Sequence, residues 1–111
     1  VTGNKLNAIL NQRSQDVLAA NNWNVVQYAV LTYLIAHVTG FEPGEFVHVI
    51  ADAHIYDRHI PIIEELISRP VYDAPEFVMN KEKTDFYEFT ANDFKLKGYK
   101  KGSHVSFPVA V

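Results

Sequence analysis

Residues 24–40, Asn-Val-Val-Gln-Tyr-Ala-Val-Leu-Thr-Tyr-Leu-Ile-Ala-His-Val-Thr-Gly, form a long apolar segment that decides the fold class. Apolar side chains from Val25 to Val38 cover nearly every side of a helix rather than one stripe. A helix with this pattern is typically buried all round. We therefore predict a buried helix over residues 25–38, with Asn24 as its N-cap and Gly40 as its C-cap.

Segments of β character lie on both sides of this helix. Leu6 to Arg13 alternates apolar and polar residues after a turn at residues 2–4, which predicts the second half of a hairpin. A loop is expected over Asp16–Asn22, a turn at Glu42-Pro43-Gly44 and an interior strand over Phe46–Ala51. Later elements are a helix over 58–68, strands over 76–79 and 94–97, and a turn or single helical turn at 90–93. The predicted class is α+β, a mixed β-sheet packed with buried helices.

Composition restricts the possible functions. The chain has 111 residues, 48% of them hydrophobic, and a formal net charge of −3, which gives no reason to expect a nucleic-acid polymer as partner. It contains no run of about 18 apolar residues for a membrane span and no signal-peptide pattern at its start, so we expect a cytoplasmic protein without membrane contact. The absence of cysteine excludes a disulfide framework, a cysteine zinc site and a thiol nucleophile within these residues.

Three polar clusters are candidates for a functional site. Residues 12–16, Gln-Arg-Ser-Gln-Asp, end a strand and offer a guanidinium and a hydroxyl to a phosphate, although a solvated strand end is the alternative. Asn24 follows Trp23 and is either a ligand-binding amide or a helix cap. Residues 52–56, Asp-Ala-His-Ile-Tyr, follow a hydrophobic strand, so His54 and Tyr56 can converge on one ligand hydroxyl. The alternative is a capping Asp beside two amphipathic side chains.

No metal site is predicted. His54 and His59 do not share one helical face, and the other histidines have no partner at ligand spacing. From the residues alone, the three clusters indicate a nucleotide or phosphate ligand.

Taken in order, these clusters resemble the thymidylate synthases. The segments that carry the resemblance are 12–16, 24–29, 44–46, 52–56 with His59, 93–94 with 98–99, and the terminal Pro108-Val109-Ala110-Val111. The likeness extends over essentially the whole chain. It implies that residues 1–111 are the C-terminal portion of a single domain, with the catalytic cysteine in a Pro-Cys motif upstream of Val1.

The resemblance also implies ligands and residue roles. In that family a cysteine thiolate adds to dUMP, and methylene-tetrahydrofolate then supplies a methylene group and a hydride to give dTMP, with no metal. The implied substrate-binding residues are Arg13 and Ser14 for the phosphate, Asp16 near the uracil, Asn24 for the uracil edge, and His54 and Tyr56 for the deoxyribose hydroxyl. The implied folate-binding residues are Asp16, Ala20, Ala110 and Val111, with residues 109–111 closing as a terminal lid.

Some features depart from the family pattern. Ala20 replaces a glycine, which puts the backbone geometry near the folate in question. Since no cysteine is present, the chain alone is expected to be inactive, and the family's homodimer is expected only for the full-length enzyme. Two alternatives stay open: a non-catalytic fragment acting as a binding or structural module, and a pyrimidine-nucleotide hydroxymethylase of the same fold.

Overall fold

The computed structural model describes residues 1–109, which form an α+β fold as predicted. Its regular elements are β1 (Lys5–Asp16), α1 (Asn21–Val38), β2 (Glu42–His54), α2 (Ile60–Ile67), β3 (Glu76–Met79) and β4 (Phe94–Lys97). Short 3-10 turns occupy Asp57–His59, Phe86–Glu88 and Ala91–Asp93. The chain divides into two compact units, Val1–Asp57 and the part from Arg58 onward. None of the helices described within residues 1–109 is long and apolar enough to cross a membrane.

The first unit is a strand–helix–strand arrangement. β1 pairs with β2 in parallel, from Lys5 opposite Glu42 to Asp16 opposite His54. Parallel neighbours need a long crossover connection, which α1 provides. The turn predicted at residues 2–4 is present, with an antiparallel bridge between Thr2 and Lys5, but the described partner of β1 is a parallel strand. The prediction of a mixed sheet places parallel and antiparallel pairs in one sheet. In the described residues the parallel pair, β1 and β2, and the antiparallel pair, β3 and β4, form two separate two-stranded sheets.

The ends of α1 differ from the predicted caps. The helix begins at Asn21 after Ala20, so Asn24 lies inside the first turn and is not the N-cap. The earlier start follows from Asp16, whose Oδ1 accepts hydrogen bonds from the backbone N–H groups of Leu18 and Ala19 at 3.1 and 3.0 Å. Such a turn directs the chain into the helix directly after the strand. At the other end Thr39 is the C-cap, and Gly40, with φ of 76°, is the residue beyond it.

α1 is buried only in part, which corrects the prediction of a helix buried all round. In its second half Thr32, Leu34 and Ala36 are buried, and the helix contacts both β1 and β2. Trp23 and Val26 are 78% and 59% exposed. These two apolar side chains, near the start of the helix, are therefore left uncovered within the described residues.

The prediction of a turn at Glu42-Pro43-Gly44 is wrong, because these residues belong to β2. The strand accommodates them at a β-bulge, where the pairing shifts between Leu6 and Ala8. Asn7 stabilises the bulge, since its Oδ1 accepts a hydrogen bond from the Glu45 backbone N–H at 2.9 Å. A Cβ atom at Gly44 would collide with this Asn7 side chain, which explains the glycine.

The second unit confirms most of the sequence prediction for its region. α2 begins one residue before Pro61, which is thus in the first turn, and β3 and β4 pair as antiparallel strands. The single turn expected at residues 90–93 is the 3-10 turn before β4. Its Asp93 carboxylate accepts hydrogen bonds from Thr90, Lys83 and Asn80, the Lys83 contact being 2.8 Å. The Lys83 ammonium, followed by the Thr90 backbone N–H and Asn80, holds the pKa of Asp93 well below its usual range.

Replacing Asp93 by Asn tests this cluster. A depressed carboxyl pKa stabilises the fold above the unfolded value of about 4, and that contribution disappears as the pH falls further. We therefore expect Asp93→Asn to lower the melting temperature at pH 7, with the difference from wild type shrinking below about pH 4. Thermal melts at several pH values measure this, with Asp73→Asn, an exposed carboxylate, as the control. Equal melting temperatures at pH 7 would contradict the assignment.

Candidate functional site

The parallel pairing of β1 and β2 brings two of the predicted clusters together. Ser14 lies opposite Asp52, and Asp16 lies opposite His54, at the carboxyl ends of both strands. In open sheets with parallel strands, ligands bind beyond the carboxyl ends of the strands. The sequence alone did not predict the pairing, but the order strand, helix, strand was the signal for it.

Asp52 connects the two clusters through its carboxylate. The Ser14 hydroxyl donates to Asp52 Oδ2 at 3.4 Å, and His54 Nδ1 lies 3.6 Å from the same oxygen. The Asp52 side chain is 65% exposed, so water reaches the group. Asp52 is not among the predicted binding residues, although it begins the Asp-Ala-His-Ile-Tyr motif.

The side chains of His54 and Tyr56 lie next to each other, as expected for residues two apart in an extended segment. Their rings meet edge to face, with centroids 5.3 Å apart and an interplanar angle of 87°. Tyr56 follows the end of β2 and is partly exposed. One imidazole and one phenol ring thus lie next to each other at the strand end.

Asn24 belongs to a hydrogen-bonded chain of side chains that sequence reasoning missed. Gln12 Nε2 donates to the backbone carbonyl of Ser14 at 3.0 Å and to Asn24 Oδ1 at 3.2 Å. A carbonyl only accepts, so the Ser14 contact fixes which end of the Gln12 amide is the NH₂ group. Gln12 Oε1 then accepts from His48 Nε2 at 2.8 Å. This arrangement directs Asn24 Oδ1 toward Gln12.

The sequence contains an indication of these hydrogen bonds between side chains. Gln12 and His48 are polar residues that share the half-buried face of their strands with apolar neighbours. Polar side chains in such places need hydrogen-bond partners. Each should therefore have been expected to contact another polar group in the fold.

Asp16 and Ala20 lie in the connection from β1 to α1. The Ala20 backbone N–H donates to the Asp16 carbonyl at 3.0 Å. Ala20 has φ of −123°, a negative value open to any residue with a Cβ atom, so alanine is accommodated here without the strain of positive φ. The replacement of glycine therefore leaves the local backbone in an ordinary conformation.

Arg13 is separated from the rest of the site by strand geometry. Neighbouring side chains on a strand project from opposite faces, and Arg13 is exposed whereas Gln12 and Ser14 are half-buried. The predicted folate contacts Ala110 and Val111 lie outside the described residues. Among residues 1–109, no group of three or more acidic or histidine side chains is arranged to hold a metal ion.

Comparisons with known proteins converge on one family. The family model described as thymidylate synthase matches residues 1–111. Thymidylate synthases of Bacillus mojavensis and Bacillus phage phi3T are each 46% identical over 107 residues, which is 96% of this chain and 38% of the relative. The solved structure of thermostable thymidylate synthase A from Bacillus subtilis superposes with a TM-score of 0.97 at 45% identity, covering 100% of this chain and 40% of that one. The chain therefore spans about two fifths of the length of the relatives that it matches.

The orientation of the Asn24 amide can be tested through Gln12. Gln12→Glu replaces the donor that faces Asn24 Oδ1 by a carboxylate that only accepts, so we expect the Asn24 amide to flip and donate through Nδ2. Nuclear Overhauser effects between the Asn24 NH₂ protons and the side chain at position 12 should strengthen. Gln12→Leu, which removes the donor without adding an acceptor, is the control. An unflipped amide in Gln12→Glu would show that Gln12 does not orient Asn24.

Proposed function

This chain belongs to the thymidylate synthase family, and from that membership we propose that it is the carboxyl-terminal part of an enzyme that methylates dUMP to dTMP. Methylene-tetrahydrofolate is the one-carbon donor and reductant of that family. One observation carries the proposal: the polar residues of three separate sequence clusters gather where β1, α1 and β2 meet. The chain supplies much of the nucleotide-binding wall.

Asn24 is proposed to read the uracil edge. An amide offers a donor and an acceptor side by side, which suits the carbonyl and ring N–H of uracil. Gln12 supports this role because it fixes the direction of Asn24 Oδ1 before a ligand arrives. Cytosine presents the opposite pattern, and a mismatched buried pair costs about 1–3 kcal/mol.

The remaining nucleotide contacts are assigned by the chemistry of the side chains. The adjacent His54 and Tyr56 rings are proposed to bind the deoxyribose hydroxyl, which a neighbouring donor and acceptor can engage together. Ser14 and Arg13 are proposed to bind the phosphate. The Ser14 hydroxyl, which donates to Asp52 in the free chain, would rotate to donate to a phosphate oxygen. Arg13 would supply the positive charge from the end of the strand.

The folate contacts are proposed for Asp16, Ala20, Ala110 and Val111. Asp16 Oδ1 is engaged by the Leu18 and Ala19 amides, so the carboxylate is held in a fixed orientation in which Oδ2 can accept from the pterin. Asp16 also lies opposite His54 in the sheet, close to the proposed nucleotide contacts. Residues 109–111 are proposed to close over the folate and exclude water from the reaction.

The reaction needs a thiolate that these residues do not contain. A cysteine elsewhere in the enzyme must add to the pyrimidine ring, while this chain binds and orients the nucleotide. The full-length enzyme is proposed to be a cytoplasmic homodimer. Support for a partner comes from the sheet face opposite α1, where Ile9, Val47 and Val49 are exposed and close to one another in the register.

A graft tests the function directly. This chain replaces the corresponding two fifths of thermostable thymidylate synthase A from Bacillus subtilis, and dihydrofolate formation is followed with dUMP and methylene-tetrahydrofolate. We expect turnover from the graft and none from the 111-residue chain alone, which has no thiol. Mass analysis of the product separates methylation from hydroxymethylation. Sustained turnover by the chain alone would contradict the thiolate mechanism, and a folded but inert graft would favour a non-catalytic module.

Arg13 can be tested in the same graft. A charge-assisted hydrogen bond to phosphate contributes about 1.5–3 kcal/mol, so Arg13→Ala should weaken dUMP binding roughly tenfold to a hundredfold. Binding of deoxyuridine, which has no phosphate, should change much less. Lys5→Ala is a matched control, because Lys5 is an exposed cation at the opposite end of β1. Calorimetric titration measures both ligands, and undiminished dUMP affinity in a folded Arg13→Ala variant would place the phosphate elsewhere.

A further inference from the structure

The segment after β4, residues 98–109, has no helix or strand of its own. We call it the carboxyl-terminal segment. A chain without regular pairing must be held by side chains or by water if it is to keep one path. In this protein two side chains from the α2 region bind its backbone carbonyls, one near the middle and one near the end.

The first contact is made by Arg69, directly after α2. Its Nη1 donates to the Ser103 carbonyl at 2.7 Å. The guanidinium is itself oriented by Glu65, which accepts from Nε and Nη2 at 2.8 and 3.1 Å. A Cβ atom at Gly102 would lie 3.0 Å from Arg69 Nη1, so the glycine permits this close approach.

The second contact is made by His59, which is 0% exposed. Its Nε2 lies 3.0 Å from the Pro108 carbonyl. Because a carbonyl only accepts, Nε2 carries the hydrogen and donates it. The ring also packs edge to face on Phe107, with centroids 5.2 Å apart and an interplanar angle of 72°.

This pair of contacts explains why position 59 holds a histidine. A phenylalanine would fill a similar volume without the cost of burying a polar ring, but it could not donate to Pro108. Proline fixes its own φ and restricts the residue before it, so Phe107 and Pro108 form a stiff extended pair. Two contacts on a stiff pair fix the position of the backbone at Phe107 and Pro108. Val109, directly beyond them, is 71% exposed.

We propose that His59 is a positioning residue that anchors the carboxyl-terminal segment at Phe107–Pro108 and so sets where the last three residues begin. The anchor stands on contacts within the second unit. Its importance for catalysis rests on the proposed function, in which residues 109–111 contact the folate.

A direct test measures backbone order rather than activity. In the ¹⁵N-labelled chain, we expect Val109 and Phe107 to have order parameters near the rigid value of about 0.85. In His59→Phe, which keeps the ring but removes the donor, both should fall below about 0.6. His59→Gln, which can place an amide donor near the same carbonyl, should restore much of the order. Val78 in β3 reports whether the unit remains folded.

Kinetics in the grafted enzyme give the second measurement. His59→Phe should raise the KM for methylene-tetrahydrofolate about tenfold, the effect of one lost hydrogen bond, while the Kd of dUMP in the absence of folate stays within about twofold. His59→Gln should recover most of the folate KM.

The two measurements separate the anchor from the function proposed above. Unchanged order at Phe107 and Val109 in a folded His59→Phe variant would overturn the anchor, whatever the activity. Lost order with an unchanged folate KM would confirm the anchor and contradict the proposed contact between the terminal residues and the folate.

Discussion

The parallel pairing of β1 with β2 is the constraint on which the site depends. Side chains from residues 12–16 and 52–54 are far apart in sequence, and the backbone pairing of the two strands brings them to one end of the sheet. The same pairing requires α1 as a crossover, which delivers Asn24 to Gln12 at the start of the helix. The candidate residues Ser14, Asn24 and His54 and the side chains that contact them therefore lie in one short strand–helix–strand unit.

Within that unit the polar groups hold one another before any ligand is present. His48 donates to Gln12, Gln12 donates to Asn24, and Ser14 and His54 meet at Asp52. A site whose donors and acceptors are already directed pays less ordering entropy when it binds. In the proposed function, the same arrangement would fix the hydrogen-bonding pattern that Asn24 presents to a base, because polar side chains that satisfy one another have few alternative states.

Much of the fold follows from sequence patterns, and the differences have identifiable physical causes. Alternation and apolar runs located the strands and both helices. The start of α1 was misplaced because Asp16 turns the chain earlier than the polar spacing suggested. Pro43 and Gly44 indicate a turn when their neighbours in sequence are considered alone. They fit into β2 because Asn7, on β1, accepts a hydrogen bond from the backbone of Glu45. The polar clusters were found from the residues, and the family resemblance assigned their roles. The partners of Gln12, Asp52 and His59 lie far along the chain, so no local pattern identifies them.

The bulge at Gly44 has a consequence for residues far along the strand. The offset between paired residues is 37 before it, where Lys5 meets Glu42, and 38 after it, where Asp16 meets His54. Without the extra residue, Asp16 would face Ala53 and Ser14 would face Ala51, and the polar groups of the two strands would point to different sides. One residue near the start of β2 thus keeps the two strands in phase eight residues later. A single deletion there would separate the polar groups of the candidate site while leaving every candidate residue unchanged in type.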